Sequence, residues 1–179
     1  MRVLPTSLPD VLLVEPQLHQ DERGFFMEAW NPTTFAAHGI YANFVQDNVS
    51  FSTRGVLRGL HLQRVRPQAK LLRVLSGEIF DVVVDLRRES PAYGQWAGIF
   101  LSASARQSLW IPEGFAHGYY VTSNDAEVFY KVTAPWYPPG ERVLRWDDPG
   151  LNIAWPLRKG ERPLLSPRDA AGLLLSELD

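Results

Sequence analysis

The chain of 179 residues contains no cysteine. This absence excludes disulfide bonds, zinc–thiolate sites, iron–sulfur clusters and a thiol nucleophile. An excess of basic residues is also missing, because 18 lysines and arginines stand against 20 aspartates and glutamates and give a formal net charge of −2. The composition therefore predicts no nucleic-acid partner, and a phosphate site would have to depend on a few individually placed arginines.

Long apolar segments are missing as well. No apolar run reaches about 18 residues, the length expected of a membrane-spanning helix. Near the N-terminus, Pro5 and Pro9 interrupt the apolar residues, so no signal peptide is expected. We therefore predict a cytoplasmic protein that does not associate with a membrane.

The remaining composition is that of an ordinary globular protein, with 45% hydrophobic and 21% charged residues. A chain of this length can bury a sizeable core within one domain. The 14 prolines and 13 glycines are spread along the chain, and no repeat or low-complexity linker divides it. We therefore expect a single domain over residues 1–179.

Short apolar runs separated by turn residues dominate the pattern. Residues 71–75 and 78–86 predict two strands joined as a hairpin at Ser76–Gly77. Four further segments have strand character: 97–101, 108–111, 117–122 and 126–133. Many short strands with regular turn signals are typical of an all-β sandwich or barrel.

Helices are few in this pattern. Residues 32–37 predict a short helix with Asn31 as its N-cap and Pro32 at its first position. Residues 168–177 predict a second one at the C-terminal end. The expected fold is therefore all-β with a few short helices.

The run 78–86 alternates between two faces of its predicted strand. One face carries only apolar side chains: Phe80, Val82, Val84 and Leu86. The other face carries two carboxylates among apolar residues: Ile79, Asp81, Val83 and Asp85. These carboxylates face either solvent, which is the commoner arrangement, or a polar cavity inside a barrel.

Two of the four histidines have an unusual setting. His61 lies in R-G-V-L-R-G-L-H-L-Q (54–63), where alternation puts it on one strand face with Gly59 and Gln63, and Lys70 follows shortly. Imidazole, guanidinium and ammonium groups close to one strand are typical of a site for an anionic substrate. His117 lies in G-F-A-H-G (114–118), where a structural role and contact with a ligand are equally compatible with the glycine-flanked turn.

Eight segments occur in a characteristic order between about Leu4 and Asp169: D-E-R-G-F-F-M-E (21–28), Q-D-N-V-S-F-S (46–52), R-G-L-H-L-Q (58–63), K-L-L-R-V-L-S-G-E-I-F-D-V-V-V-D-L-R (70–87), I-P-E-G-F-A-H-G (111–118), Y-K (130–131), W-D-D-P (146–149) and L-S-P-R-D (165–169). As an ordered set they resemble the dTDP-4-dehydrorhamnose 3,5-epimerase family, metal-free cupins of dTDP-L-rhamnose synthesis. The resemblance implies a cupin-type β-barrel (jelly roll). It also implies that the chain converts dTDP-4-dehydro-6-deoxy-D-glucose to dTDP-4-dehydro-L-rhamnose.

The resemblance also implies catalytic roles. The C4 ketone of the substrate acidifies the protons on C3 and C5, and His61 matches the base that removes them. Asp169 matches the carboxylate that orients this histidine. Lys70 matches the cation that stabilises the resulting enolate. Tyr130 matches the acid that returns a proton to the opposite face of the ring.

Binding roles follow from the same resemblance. Arg23, Arg58 and Arg168 match arginines that contact the sugar and the diphosphate. Six further residues match other substrate contacts: Glu28, Gln46, Asp47, Asn48, His117 and Glu141. Phe25 and Trp136 match aromatic residues that stack on thymine, with Tyr137 as the alternative to Trp136. The family also implies a homodimer in which the segment with Arg23 and Phe25 completes the neighbour's site.

Three other interpretations remain. A metal-dependent cupin would need clustered histidine and carboxylate ligands, but the chain has H-L-Q (61–63) where two closely spaced histidines would stand, so no metal and no cofactor are expected. A sugar-nucleotide-binding cupin without activity would not require His61, Lys70, Tyr130 and Asp169 together. An epimerase that inverts only C3 or only C5 stays open, although both catalytic positions are present.

Overall fold

Antiparallel strands dominate the computed structural model, which describes residues 1–178. The strands are Arg2–Pro5 (β1), Leu12–Glu15 (β2), Leu18–Asp21 (β3), Gly24–Met27 (β4), Gln46–Thr53 (β5), Leu57–Gln63 (β6), Lys70–Asp85 (β7), Trp96–Ser102 (β8), Ser108–Ile111 (β9), Phe115–Val132 (β10) and Glu141–Val143 (β11). The helices are Pro32–Ala36 (α1) and Pro167–Ala170 (α2), with 3₁₀ turns at Pro138–Gly140 and Leu175–Glu177. This confirms the predicted all-β fold with a few short helices.

Two long strands, β7 and β10, organise the main sheet. They pair with each other along most of their length. The first part of β7 also pairs with β9, and its second part pairs with β8. The second part of β10 pairs with β5, and its first part with β6, which in turn pairs with β11. The sheet therefore has two parts, one with the order β1-β2-β9-β7-β10-β5 and the other with the order β8-β7-β10-β6-β11.

The predicted hairpin at Ser76–Gly77 is wrong. Strand β7 runs through these residues, and 71–75 and 78–86 pair with β10 instead of with each other. The pairing shifts register here, opposite residues 122–125 of β10, which likewise joins the two segments predicted as separate strands. Gly77 has a φ of +76°, and a Cβ at this position would lie 2.0 Å from the carbonyl oxygen of Asp125. The turn-like residues therefore mark a bend between the two parts of the sheet, where only glycine fits.

The first helix confirms its prediction. The Oδ1 atom of Asn31 accepts the backbone N–H groups of Thr33 and Thr34, and Pro32 occupies the first turn. These bonds satisfy amide groups that have no partner within the helix.

The second helix is shorter than predicted. Residues 168–177 form only the four-residue α2 and a separate 3₁₀ turn. Pro167 begins α2 and Ser166 caps it. Leu173 then exchanges backbone hydrogen bonds with Val143 and Arg145, and this bridge to the end of β11 prevents the helix from continuing.

Three apolar clusters hold the layers together. The central one lies between the two sheet parts and includes Leu72 and Val128 from the first and Val83 and Val121 from the second. A second cluster covers the outer face of the second part with C-terminal residues such as Leu151. A third covers the outer face of the first part with residues 1–44, among them Val14, Phe35 and Ile40.

The alternation predicted for 78–86 is confirmed, but the carboxylates do not face solvent. Asp81 and Asp85 are both fully buried. Oδ2 of Asp81 shares a hydrogen bond with Nε2 of His117, whereas Asp85 accepts hydrogen bonds from Arg87 and Ser90. The partners replace the lost hydration of both Asp85 oxygens and of one Asp81 oxygen, whereas Oδ1 of Asp81 has no hydrogen-bond partner among the described residues. Within residues 1–178, no helix is long and apolar enough to cross a membrane.

Candidate active site

A cavity of about 300 Å³ opens between the two parts of the sheet. Its lining combines polar, charged and aromatic side chains: Gln46, Asn48, His61, Leu62, Gln63, Gln68, Lys70, Tyr130, Val132, Trp136, Glu141 and Arg168. A smaller cavity of about 130 Å³ adjoins it, lined by Ser50, Arg58, His61, Lys70, His117, Gly118, Tyr119 and Tyr130. The two cavities share His61, Lys70 and Tyr130, which therefore face one continuous space.

Strand alternation explains how these residues meet. In β5, Gln46 and Asn48 point into the cavity, and Asn48 lies opposite Tyr130 of β10. Lys70 is the first residue of β7, an interior strand of the same sheet part. His61 comes from β6 in the other part, so the cavity has a wall from each.

His61 is held by a carboxylate that is 108 residues away in sequence. Its Nε2 atom lies 2.6 Å from Oδ1 of Asp169. Burial raises the pKa of Asp169, but hydrogen bonds from His61, Ser166 and the Gly59 backbone, with the charge of His61 when its ring is protonated, outweigh this effect, so the pKa lies below its usual value. The ionised carboxylate can only accept a hydrogen bond. Nε2 therefore carries the proton, and Nδ1 of the neutral ring keeps a lone pair.

Lys70 is the buried cation of the site, with 7% of its surface exposed. Burial lowers the pKa of its ammonium group from 10.5 to about 8, against the opposing charges of Glu141 and Asp81. At neutral pH most molecules therefore still carry a positive charge here, in a poorly solvated position where it acts strongly on a nearby anion.

Tyr130 faces the same space from β10. Burial raises the pKa of its phenol, and the neighbouring Tyr119 and Glu141 add to this effect while Arg58 opposes it. The hydroxyl group is therefore protonated at neutral pH and is available as a donor.

His117 and Asp81 form a second buried pair at the smaller cavity. Nε2 of His117 lies 2.8 Å from Oδ2 of Asp81, and the two side chains are 10% and 0% exposed. Burial raises the pKa of Asp81, although His117 and Lys70 act in the opposite direction. His117 therefore has a structural partner and also lines the smaller cavity, and its contact with a ligand stays a prediction.

Glu141 joins two side chains at the rim. It accepts a hydrogen bond from Nε1 of Trp136 at 2.8 Å and forms an ion pair with Arg168. Trp136 is 56% exposed, whereas the ring of Tyr137 is covered by the guanidinium of Arg66 at 4.4 Å. Of the two aromatic candidates, Trp136 is therefore the one whose ring borders the cavity and is accessible to a ligand.

Four of the predicted contacts lie away from this chain's own cavity. Arg23 and Phe25 belong to the β3–β4 hairpin, where Arg23 pairs with Asp21 and Phe25 packs under a guanidinium. Glu28 accepts a hydrogen bond from Asn31. Asp47 points to the opposite face of β5 from Gln46, where it pairs with Lys131 at 2.7 Å.

Several lining residues were not predicted from the sequence. Gln63 lies on the face of His61, as alternation predicts, but no role follows for it from the sequence, and Gln68 lies in the loop before Lys70. Ser50 shares the inward face of β5 and lies 2.9 Å from the hydroxyl of Tyr119. The period of two was the available signal for Ser50 along β5 and for Tyr119, two residues after His117 in the predicted strand 117–122. No sequence pattern pointed to Gln68.

Within residues 1–178, no three histidine, aspartate or glutamate side chains are grouped closely enough to hold a metal ion. The groups that do meet, a held imidazole, a buried ammonium and a protonated phenol around one space, are suited to proton transfer.

Comparisons with a family model and with curated proteins point to the same family. The family model described as dTDP-4-dehydrorhamnose 3,5-epimerase matches residues 5–177. The curated dTDP-4-dehydrorhamnose 3,5-epimerase of Pseudomonas aeruginosa is 50% identical over 180 residues, which cover 100% of this chain and 98% of that protein. The enzyme of the same name from Neisseria gonorrhoeae is 52% identical over 172 residues, which cover 96% of this chain but only 52% of the relative.

A solved structure extends the likeness to three dimensions. The crystal structure of dTDP-6-deoxy-D-glucose-3,5-epimerase from Legionella pneumophila Philadelphia 1, in complex with dTDP-4-keto-L-rhamnose, has a TM-score of 0.95 and 46% identity. The match covers 99% of this chain and 94% of that one. It confirms the predicted cupin-type fold.

Proposed function

Because the chain belongs to the dTDP-4-dehydrorhamnose 3,5-epimerase family, we propose that it inverts C3 and C5 of dTDP-4-dehydro-6-deoxy-D-glucose to give dTDP-4-dehydro-L-rhamnose. One observation carries the proposal beyond family membership: His61, Lys70 and Tyr130 face one cavity, with Asp169 bonded to His61. A held base, a buried cation and a phenol are the groups that inversion beside a ketone requires.

His61 is the base in this proposal. Its Nδ1 lone pair removes the proton from the carbon beside the C4 ketone, and Asp169 stabilises the imidazolium that forms. Histidine suits this step because it exchanges protons near neutral pH. Since the Asp169 side chain is only 6% exposed, water competes little for its bond to the ring.

Lys70 supplies the charge that the intermediate needs. Removal of the proton leaves an enolate with negative charge on the former ketone oxygen. A fixed ammonium group in a poorly hydrated cavity stabilises this charge without having to reorganise. The burial of Lys70 (7% exposed) supports this role more than a role in packing.

Tyr130 is the acid that completes inversion. Inversion requires the new proton to arrive on the face opposite to the one deprotonated, which a single group cannot serve. Tyr130 approaches from β10 of the first sheet part and His61 from β6 of the second, so the two groups meet a ring in the cavity from different walls. The raised pKa of Tyr130 keeps its donor proton at neutral pH.

The nucleotide half of the substrate fits the rim. Arg168 supplies a guanidinium suited to phosphate oxygens, and the accessible ring of Trp136 suits a flat base. Arg58 lies at the smaller cavity, held by Ser52 at 2.8 Å. The relative from Legionella pneumophila, whose crystal structure contains dTDP-4-keto-L-rhamnose, supports the same class of ligand for this chain.

A homodimer is part of the proposal. The β3–β4 hairpin with Arg23 and Phe25 contributes nothing to the cavity of its own chain, and Phe25 is 50% and Phe26 70% exposed. On the outer face of β5, Val49 and Phe51 are also largely exposed. A second copy would cover these apolar side chains, and the hairpin would complete its site.

Two expectations stay predictions: that the reaction uses no metal or cofactor, and that the protein is cytoplasmic. Activity that survives exhaustive treatment with EDTA, with no divalent metal found in the treated protein, would support the first. Activity lost on treatment and restored by one divalent ion would contradict it.

The function is tested by NMR of the purified protein with dTDP-4-dehydro-6-deoxy-D-glucose in deuterated water. We expect deuterium at both C3 and C5 together with appearance of the L-sugar. Deuterium and inversion at only one carbon would identify a single-site epimerase instead. Binding of the nucleotide sugar without any exchange would show a binding protein without activity.

A further inference from the structure

The loop that carries Trp136 has no strand partner. Residues 134–137 lie between the end of β10 and the 3₁₀ turn that precedes β11. Within residues 1–178, four of its backbone groups are bonded by side chains and not by other backbone: the carbonyls of Ala134 and Pro135 and the amides of Trp136 and Tyr137. All four partners are glutamine side-chain groups.

Gln63 makes the central contacts. Its Nε2 group donates to the carbonyl oxygens of Arg66 at 2.5 Å and Pro135 at 3.1 Å, and its Oε1 atom accepts from the Tyr137 amide at 2.8 Å. A primary amide has two donor hydrogens and one carbonyl acceptor, so Gln63 uses every one of these groups. It is only 4% exposed, which makes the loss of any of these bonds costly.

Two further glutamines hold the loop from either side. Nε2 of Gln68 donates to the carbonyl oxygen of Ala134 at 2.7 Å. Oε1 of Gln46 accepts the Trp136 amide at 3.0 Å. All three glutamines also line the larger cavity. The loop is therefore fixed directly to the walls that carry the candidate catalytic groups.

We propose that Gln63 and Gln68 are positioning residues that hold the 134–137 loop so that the Trp136 ring stacks on the base of the nucleotide substrate. This inference rests on the proposed function, because it takes a nucleotide sugar as the substrate. Without these side-chain bonds the four backbone groups would have no partner among the described residues, and the loop would sample more conformations. Ordering the loop on binding would then cost free energy and weaken the affinity for the ligand. The glutamines order the ring before the ligand arrives.

The test replaces Gln63 or Gln68 by methionine, which has a similar length and no charge, so that repulsion of the diphosphate does not confuse the result. Gln17→Met is the matched control, because Gln17 is exposed and its amide also donates to a backbone carbonyl, that of Leu18. Affinities for thymidine diphosphate and for inorganic pyrophosphate are measured by calorimetry. Pyrophosphate has no base and reports the phosphate site alone.

We expect the Kd for thymidine diphosphate to rise roughly five- to tenfold for each variant, the effect of losing about one net hydrogen bond from an ordered loop. The Kd for pyrophosphate and the kcat at saturation should stay within about twofold, and only KM should rise. Amide hydrogen exchange at Tyr137 should accelerate in Gln63→Met, because its acceptor is gone. The Gln17→Met control should change none of these values.

The outcomes separate this inference from the function it rests on. Equal affinity of wild type and both variants for thymidine diphosphate would overturn the inference and leave the proposed function intact. An equal loss of pyrophosphate and thymidine diphosphate binding would also overturn it, since the damage would then lie at the phosphates. Wild-type protein that binds no thymidine diphosphate would overturn the proposed function itself. If Gln63→Met fails to fold, Gln68→Met decides the question, because Gln68 is less buried and makes one bond to the loop.

Discussion

The pH dependence of catalysis tests the role of Lys70. With a pKa of about 8, roughly nine tenths of the molecules carry the ammonium charge at pH 7, half at pH 8 and about one tenth at pH 9. If this charge stabilises the enolate, the rate should fall about fivefold between pH 8 and pH 9 and approach tenfold per pH unit above that. An ordinary lysine with a pKa near 10.5 would give no such fall in this range.

The free energy of unfolding should rise over the pH range in which the rate falls. Between pH 8 and about 10.5 the unfolded chain binds a proton at this lysine that the folded chain has released, so the free energy of unfolding rises with pH. The full shift of 2.5 pH units corresponds to about 3 kcal/mol. Below pH 8 this cost is fully present. We therefore expect Lys70→Met to stabilise the protein at pH 7, by up to about 3 kcal/mol, while it slows catalysis.

The measurement is the rate of deuterium exchange at C3 and C5 from pH 6 to pH 10, together with urea unfolding at pH 7 for each variant. Lys70→Met should lower the exchange rate and abolish the alkaline fall. Lys159→Met, at an exposed loop position, is the control and should keep both the rate and its pH profile. A wild-type rate that is constant from pH 7 to pH 10, or an alkaline fall that persists in Lys70→Met, would refute the reasoning.

Three other predictions concern the proton-transfer groups and the assembly. Asp169→Asn should slow exchange by at least about tenfold, because the ring loses the acceptor that selects its tautomer; an unchanged exchange rate would remove Asp169 from the mechanism. Tyr130→Phe should retain exchange, with the proton returned to the face it left, but should yield little L-sugar by NMR; inversion of both centres at the wild-type rate would show that Tyr130 only packs. Arg23→Ala and His61→Ala should each be inactive, and their co-expression should restore part of the activity in mixed dimers; a fully active monomer by light scattering would contradict the shared site.

The pattern of residues predicted the parts of the fold that depend on local alternation. The assignment of residues 78–86 to two strand faces was right, because a buried strand keeps its period of two whatever its neighbours are. The same reasoning failed at Ser76–Gly77, since a bend within a long strand and a tight turn between two strands use the same small residues. Only the partner strand decides between them, and the pairing with β10 lies some 50 residues away in sequence.

Local alternation predicted only part of the candidate site, and contacts between residues distant in sequence lay outside its reach. Alternation placed His61 and Gln63 on one face, and both line the cavity. The pairing of His61 with Asp169 has no local signal, because the two residues meet only when α2 packs near β6, and it came from the resemblance to a family. Neither alternation nor the family resemblance pointed to the contacts of Gln63 and Gln68 with the 134–137 loop. These side chains bond backbone atoms, which every residue type has, so the sequence of the loop gives no sign of the contacts.

The continuity of β7 and β10 has a consequence for mutations far from the cavity. Each strand belongs to both sheet parts. The proposed base, His61, lies on one part, and the proposed acid and cation, Tyr130 and Lys70, lie on the other. The angle between the parts is set where β7 bends at Gly77, against the carbonyl oxygen of Asp125. A methyl group at Gly77 would clash with this oxygen, so the backbone at the bend would have to shift. We expect this shift to change the separation of His61 and Tyr130, although it touches neither. The relative placement of the proposed proton donor and acceptor thus depends on a bend outside the cavity. A substitution at Gly77 is expected to change activity although Gly77 does not line either cavity.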